Sequence, residues 1–125
     1  MPPLRELDQA ERRIERYGAG GFRIGGVVHE GGALVTERRT AAWPAVSLAS
    51  LDADDVAPLI ALRDEFEFVL IGCGPRFGLL PKAAKQALRE AGIRFDVMDT
   101  GAACRTYNVL VAEGRRVAAA LLPVA

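Results

Sequence analysis

The sequence predicts an α/β domain whose sheet is at least partly parallel, preceded by a small antiparallel β unit. Two observations carry this. In the back half, short apolar runs alternate with helical patterns of about ten residues, the order of βαβ units. In the front half, glycine pairs punctuate short apolar stretches, as in tight β turns. The composition fits: 125 residues, half of them apolar and 26% charged, suffice for one packed core.

Residues 1–17 are charge-dense, with residues such as Leu4, Ile14 and Tyr17 too sparse for a sustained apolar face. They read as an N-terminal arm, frayed or forming a short surface helix, and residues 18–125 as one domain. From Gly18 to Thr40, "FRIGG" and "GVVHEGGALV" predict short strands, with "HEGGAL" as a tight hairpin at Gly31-Gly32. "TAAWPAV" continues the β unit, Pro44 marking a strand end or edge because it has no N–H to give, and Trp43 anchoring the core. In "SLDADDVAPLIALRDEF", the aspartates suit a helix entrance, and Pro58 places the helix start near itself.

Farther on, "FEFVLIG" predicts a buried strand and "PKAAKQALREAG" a helix, with Pro81 at its first position and Gly92 at its stop. "IRFDVMD" alternates as a strand. "AACRTYNVLVAE" follows as a helix ended by Gly114, and "RRVAAALL" as a last strand of open direction. Thr106, Tyr107 and Asn108 are poor helix formers in a row, so tertiary contacts are expected to hold them.

Several classes are excluded or disfavoured. Sixteen basic residues balance sixteen acidic ones, which argues against a nucleic-acid binder. Cys73, Cys104 and the single His29 cannot form a usual Cys/His zinc site, so no metal and no cofactor are expected. Two cysteines make no secreted disulfide framework, and no apolar run reaches membrane-spanning length. Without a signal-like or transit-like N-terminus, a cytoplasmic location is expected.

Two loops remain as candidates for chemistry. "GCGPRFG" follows a strand directly, so Gly72, Cys73 and Gly74 could offer backbone N–H groups to a small anion, with Arg76 adding charge. It matches neither G-x-G-x-x-G nor a P-loop, and the glycines equally serve to turn the chain out of the sheet. In "DTGAACRT", Asp99 or Thr100 can cap the helix. Cys104 and Arg105 fall in its opening turns, where the dipole and the guanidinium favour a thiolate, although Cys104 also reads as a small packing residue. If the two preceding strands are parallel neighbours, Cys73, Arg76, Cys104 and Arg105 should converge on one edge. No catalytic constellation is complete, and His29 lacks an acid or nucleophile beside it in sequence.

"MDTGAACRTYNVLVAEGRRVAAALLP", with "VLIGCGPRF" and "YGAGGFRIGG" before it, resembles the small Mth-type α/β domain family. That family includes mitochondrial NADH:ubiquinone oxidoreductase (complex I) assembly factor 3 and many bacterial proteins of unknown function. The resemblance runs from Ile14 to Pro123 and points to the bacterial branch. It implies a three-layer β+α/β/α fold with a mixed central sheet, a family with no established enzymatic activity, and an assembly role that depends on protein partners. Relatives often carry Gly-Thr-Gly where this chain has Gly72-Cys73-Gly74, so a side-chain role at position 73 does not carry over.

Overall fold

A computed structural model describes residues 13–125. The central element is a five-stranded mixed sheet in the order β5-β4-β8-β6-β7. Its strands are β4 (Gly32–Val35), β5 (Thr40–Trp43), β6 (Phe68–Gly72), β7 (Arg94–Met98) and β8 (Val117–Leu121). A separate antiparallel sheet holds β1 (Ile14–Gly18), β2 (Gly21–Ile24) and β3 (Val27–Glu30) in sequential order. The helices are α1 (Ala53–Ala61), α2 (Lys82–Glu90) and α3 (Thr100–Ala112).

Period-two alternation assigns each strand's side chains to one of two cores. Leu34, Val69, Ile71, Ala118 and Ala120 face α1 and α2, where they meet Val56, Leu59, Ala84, Leu88 and Trp43. Ala33, Val35, Leu70, Ala119 and Leu121 face the other way, toward Ala103, Cys104 and Tyr107 of α3 and toward Ile14, Phe22 and Ile24 of the small sheet. The layers are therefore small sheet plus α3, central sheet, and α1 plus α2, which is the β+α/β/α arrangement the resemblance implied.

β8 resolves the open strand direction. It pairs parallel to β6 and antiparallel to β4, so it joins the parallel half of the sheet to the antiparallel half. β6 and β7 are parallel neighbours, which puts the loops after them side by side.

Four local expectations change. Residues 14–17, expected in an N-terminal arm, instead belong to β1 and pair with β2; residues 1–12 of that expectation lie outside the described residues. Gly31-Gly32 is not a hairpin: β3 and β4 lie in different sheets, and the tight turn is at Gly25-Gly26, both with positive φ (57° and 79°). Gly32 instead serves close approach, since a Cβ there would lie 2.6 Å from the Trp43 carbonyl oxygen. The helix near Pro58 begins earlier, at Ala53, because Asp52 and Asp55 form a reciprocal capping box with both bonds at 3.0 Å. Pro58 is tolerated inside because it and Asp54, whose carbonyl loses its donor, both lie on the exposed side. Finally, Pro81 is the residue before α2 rather than its first.

Trp43 is the expected anchor: it is 2% exposed, and its indole N–H donates to the Asp55 carbonyl at 2.8 Å. Among the described residues no helix is long and apolar enough to cross a membrane.

Candidate functional site

The loops after β6 and β7 meet through Thr100. Its hydroxyl donates to the Leu122 carbonyl at 2.8 Å and accepts the Gly74 N–H at 2.9 Å. Its own N–H donates to the Gly74 carbonyl at 2.8 Å, and the Cys73 N–H donates to the Met98 carbonyl at 2.8 Å. A threonine is suited to this place because one hydroxyl both donates and accepts. Thr100 has no exposed surface. The helix is capped by Asp99, which accepts the Ala102 N–H at 2.9 Å.

These bonds decide what the glycine loop can do. The Cys73 and Gly74 N–H groups are spent on holding the neighbouring strand and helix, so they form no open anion cradle. Gly72 has no space to spare either, since a Cβ there would lie 3.0 Å from Thr100 Cα and from Leu121 Cδ2. Gly74 takes φ 106°, which a side chain would strain. The glycines bring α3 close to the sheet and turn the chain out of it. The Cys73 thiol donates to the Arg76 carbonyl at 3.1 Å and closes the loop on itself, leaving the Arg76 side chain at the surface.

Cys104 and Arg105 point elsewhere. Cys104 is 3% exposed and packs in the cluster with Ile14, Phe22 and Tyr107. Burial pushes its thiol up to about 12, against the lowering by Arg105, with Asp99 raising it further. The thiolate expected from the helix dipole and the adjacent cation is therefore overruled by desolvation, and the thiol stays protonated at neutral pH. Arg105 is exposed and, with Cys104, lines a cavity of about 830 Å³ between α3, β1 and the β2–β3 turn. So the two loops share an edge, but of the four residues expected to converge there, Cys104 and Arg105 belong to a different site.

Sequence reasoning missed the other walls of that cavity. Asn108 clasps β1: its side-chain carbonyl accepts the Ile14 N–H at 2.9 Å and its amide donates to the Ile14 carbonyl at 2.8 Å. This is the tertiary contact expected for the Thr106–Asn108 run. Tyr17 lies across Gly101, where a Cβ would come 2.5 Å from the phenol oxygen. A glycine in the first turn of a helix was the available signal for such a close approach.

Also unanticipated is an apolar surface beside the glycine loop. Phe77 (65% exposed) and Leu79 (78%) flank Gly78, which rests against Leu48, and Val46 nearby is 74% exposed.

The family described as "Protein of unknown function (DUF498/DUF598)" matches residues 14–122. The chain belongs to this family. An uncharacterised protein of Rhodobacter capsulatus is 41% identical over 111 residues, covering 89% of this chain and 84% of that protein. The human NADH dehydrogenase [ubiquinone] 1 alpha subcomplex assembly factor 3 is 34% identical over 119 residues, 95% of this chain. The chain spans only 64% of that assembly factor's length. Among solved structures, a Bartonella henselae protein described as an outer membrane protein superposes with TM-score 0.83 at 35% identity, over 91% of this chain and 96% of that one. A Bordetella pertussis Mth938-like domain superposes with TM-score 0.76 at 31% identity, over 91% and 87%. This is the Mth-type family, which includes complex I assembly factor 3, and the three-layer fold is common to it.

Proposed function

We propose that this member of the family is a non-enzymatic binding module, acting in the cytoplasm, that assists assembly of a respiratory NADH dehydrogenase. The observation that carries the reading is the assembly factor's 34% identity across 95% of this chain: what the two share is this whole domain, not a fragment of it. The docking edge is the loop after β6. Gly72, Cys73 and Gly74 shape it, Thr100 braces it from α3 with Asp99 capping that helix, and Arg76, Phe77 and Leu79 present charge and apolar surface to a protein partner. Apolar side chains at such exposure are what an interface core uses.

Deleting the gene in its native host tests the role. Native gels should then show less assembled NADH dehydrogenase at unchanged subunit transcription, restored by the wild-type chain. An unchanged amount of assembled enzyme contradicts the proposal.

A further inference from the structure

The cavity between α3 and β1 is separate from the edge proposed for docking, and its lining has an unusual charge balance. Arg13 and Arg105 both border it, and neither belongs to an ion pair: among the described residues those are Arg23–Glu15 and Arg39–Glu65. Glu15 is the carboxylate on the lining, and it is already engaged. It accepts the Gly26 N–H at 2.6 Å and faces Arg23 at 3.7 Å. The nearby Asp99 is committed to the Ala102 N–H.

Two of the polar tips also converge. A Cβ on Gly101 would lie 2.5 Å from Tyr17 Oη and 3.3 Å from Arg105 Nη1, so the phenol and the guanidinium sit over the same backbone position. The lack of a side chain at Gly101 lets both tips lie against the helix. The Asn108 amide is not a free donor, because it is spent on Ile14.

We propose that this cavity binds a phosphate-bearing small molecule, its phosphate held by Arg13, Arg105 and the Tyr17 hydroxyl. Guanidinium forks pair with carboxylate and phosphate alike, and three donor groups match the three terminal oxygens and the higher charge of a phosphate monoester, where a carboxylate offers two oxygens and one charge. The size indicates more than a free ion. At about 830 Å³ the cavity falls within the roughly 300–1,000 Å³ usual for small-molecule sites, with space for an organic group beyond the phosphate.

The test is an amide NMR titration of the full chain with phenyl phosphate, with chloride at matched ionic strength as reference. The site predicts saturable shifts at Gly26, Gly101 and Arg105 with phenyl phosphate and none with chloride. Arg105→Gln should weaken binding by about tenfold or more, the scale of one charge-assisted hydrogen bond, and Tyr17→Phe by less. Arg13, Tyr17 and Arg105 are all exposed, so the variants should otherwise keep the wild-type spectrum. Shifts that rise linearly without saturation, equal shifts with chloride, or full affinity in an Arg13→Gln/Arg105→Gln variant would each overturn the proposal. None of these outcomes bears on the assembly reading.

Discussion

The two faces of the central sheet are held in different ways. Toward α1 and α2 the core is built from volume: Trp43, Leu59, Ile71 and Leu88 are each at most 2% exposed and fill the space between sheet and helices. Toward α3 large side chains such as Leu70, Tyr107 and Leu121 share the core with small ones, among them Ala33, Ala103 and Ala119. Gly72 and Gly101 let backbone and neighbouring side chains approach closely, and hydrogen bonds from Thr100 and Asn108 fix α3 in place. Apolar packing on the first face tolerates substitutions that keep volume. A buried hydroxyl or amide on the second face tolerates only its own geometry. The run of residues 98–123 that carries the family resemblance supplies α3 to this second face, and the cavity lined by Cys104 and Arg105 lies beside it.

The contrast can be broken from either side. The largest effect is expected on the packed face. Leu88→Ala removes a fully buried side chain and should cost about 3 kcal/mol, read from urea unfolding. Thr100→Val keeps the shape of the side chain but deletes its hydroxyl, leaving the Leu122 carbonyl and the Gly74 N–H without that partner. It should cost about 2 kcal/mol. If α3 is held by hydrogen bonds, it should also speed hydrogen exchange in α3 and the Gly72–Gly74 loop more than in α2. Exchange raised equally on both faces would erase the distinction.

The smallest effect concerns Cys104. Its folded thiol titrates at about 12, above an ordinary value of 9.0. The protonated thiol's contribution is therefore complete below pH 9 and declines as pH rises from there toward 12, because the unfolded chain ionises first. Urea melts between pH 7 and 10.5 should fall more steeply above pH 9 for wild type than for Cys104→Ala. At pH 7.5 the native thiol should resist a disulfide reagent until the protein unfolds. Rapid labelling of the folded protein would restore the reactive-cysteine reading.

Much of the back half was legible because its signals are local. The "FEFVLIG" and "IRFDVMD" runs and the Gly92 and Gly114 stops each follow from neighbours within one turn or one strand. What escaped was set by distant partners. The Gly25-Gly26 and Gly31-Gly32 pairs look alike locally, and only membership of different sheets separates a hairpin from a passage between layers. Ile14 meets Asn108 across 94 positions, so β1 could not be distinguished from a frayed arm, nor could Tyr17 be placed on Gly101. For Cys104, dipole and Arg105 were visible in the sequence, whereas the burial that outweighs them was not.

The assembly role and its docking edge meet in one measurement. In a strain lacking the native gene, the wild-type chain and a Phe77→Asp/Leu79→Asp variant are expressed at equal levels, and assembled NADH dehydrogenase is quantified on native gels. Both side chains are exposed, so the variant should fold normally. The account predicts that wild type restores the assembled enzyme and the variant does not. Full restoration by the variant would contradict the docking edge, and no loss in the deletion strain would contradict the role itself.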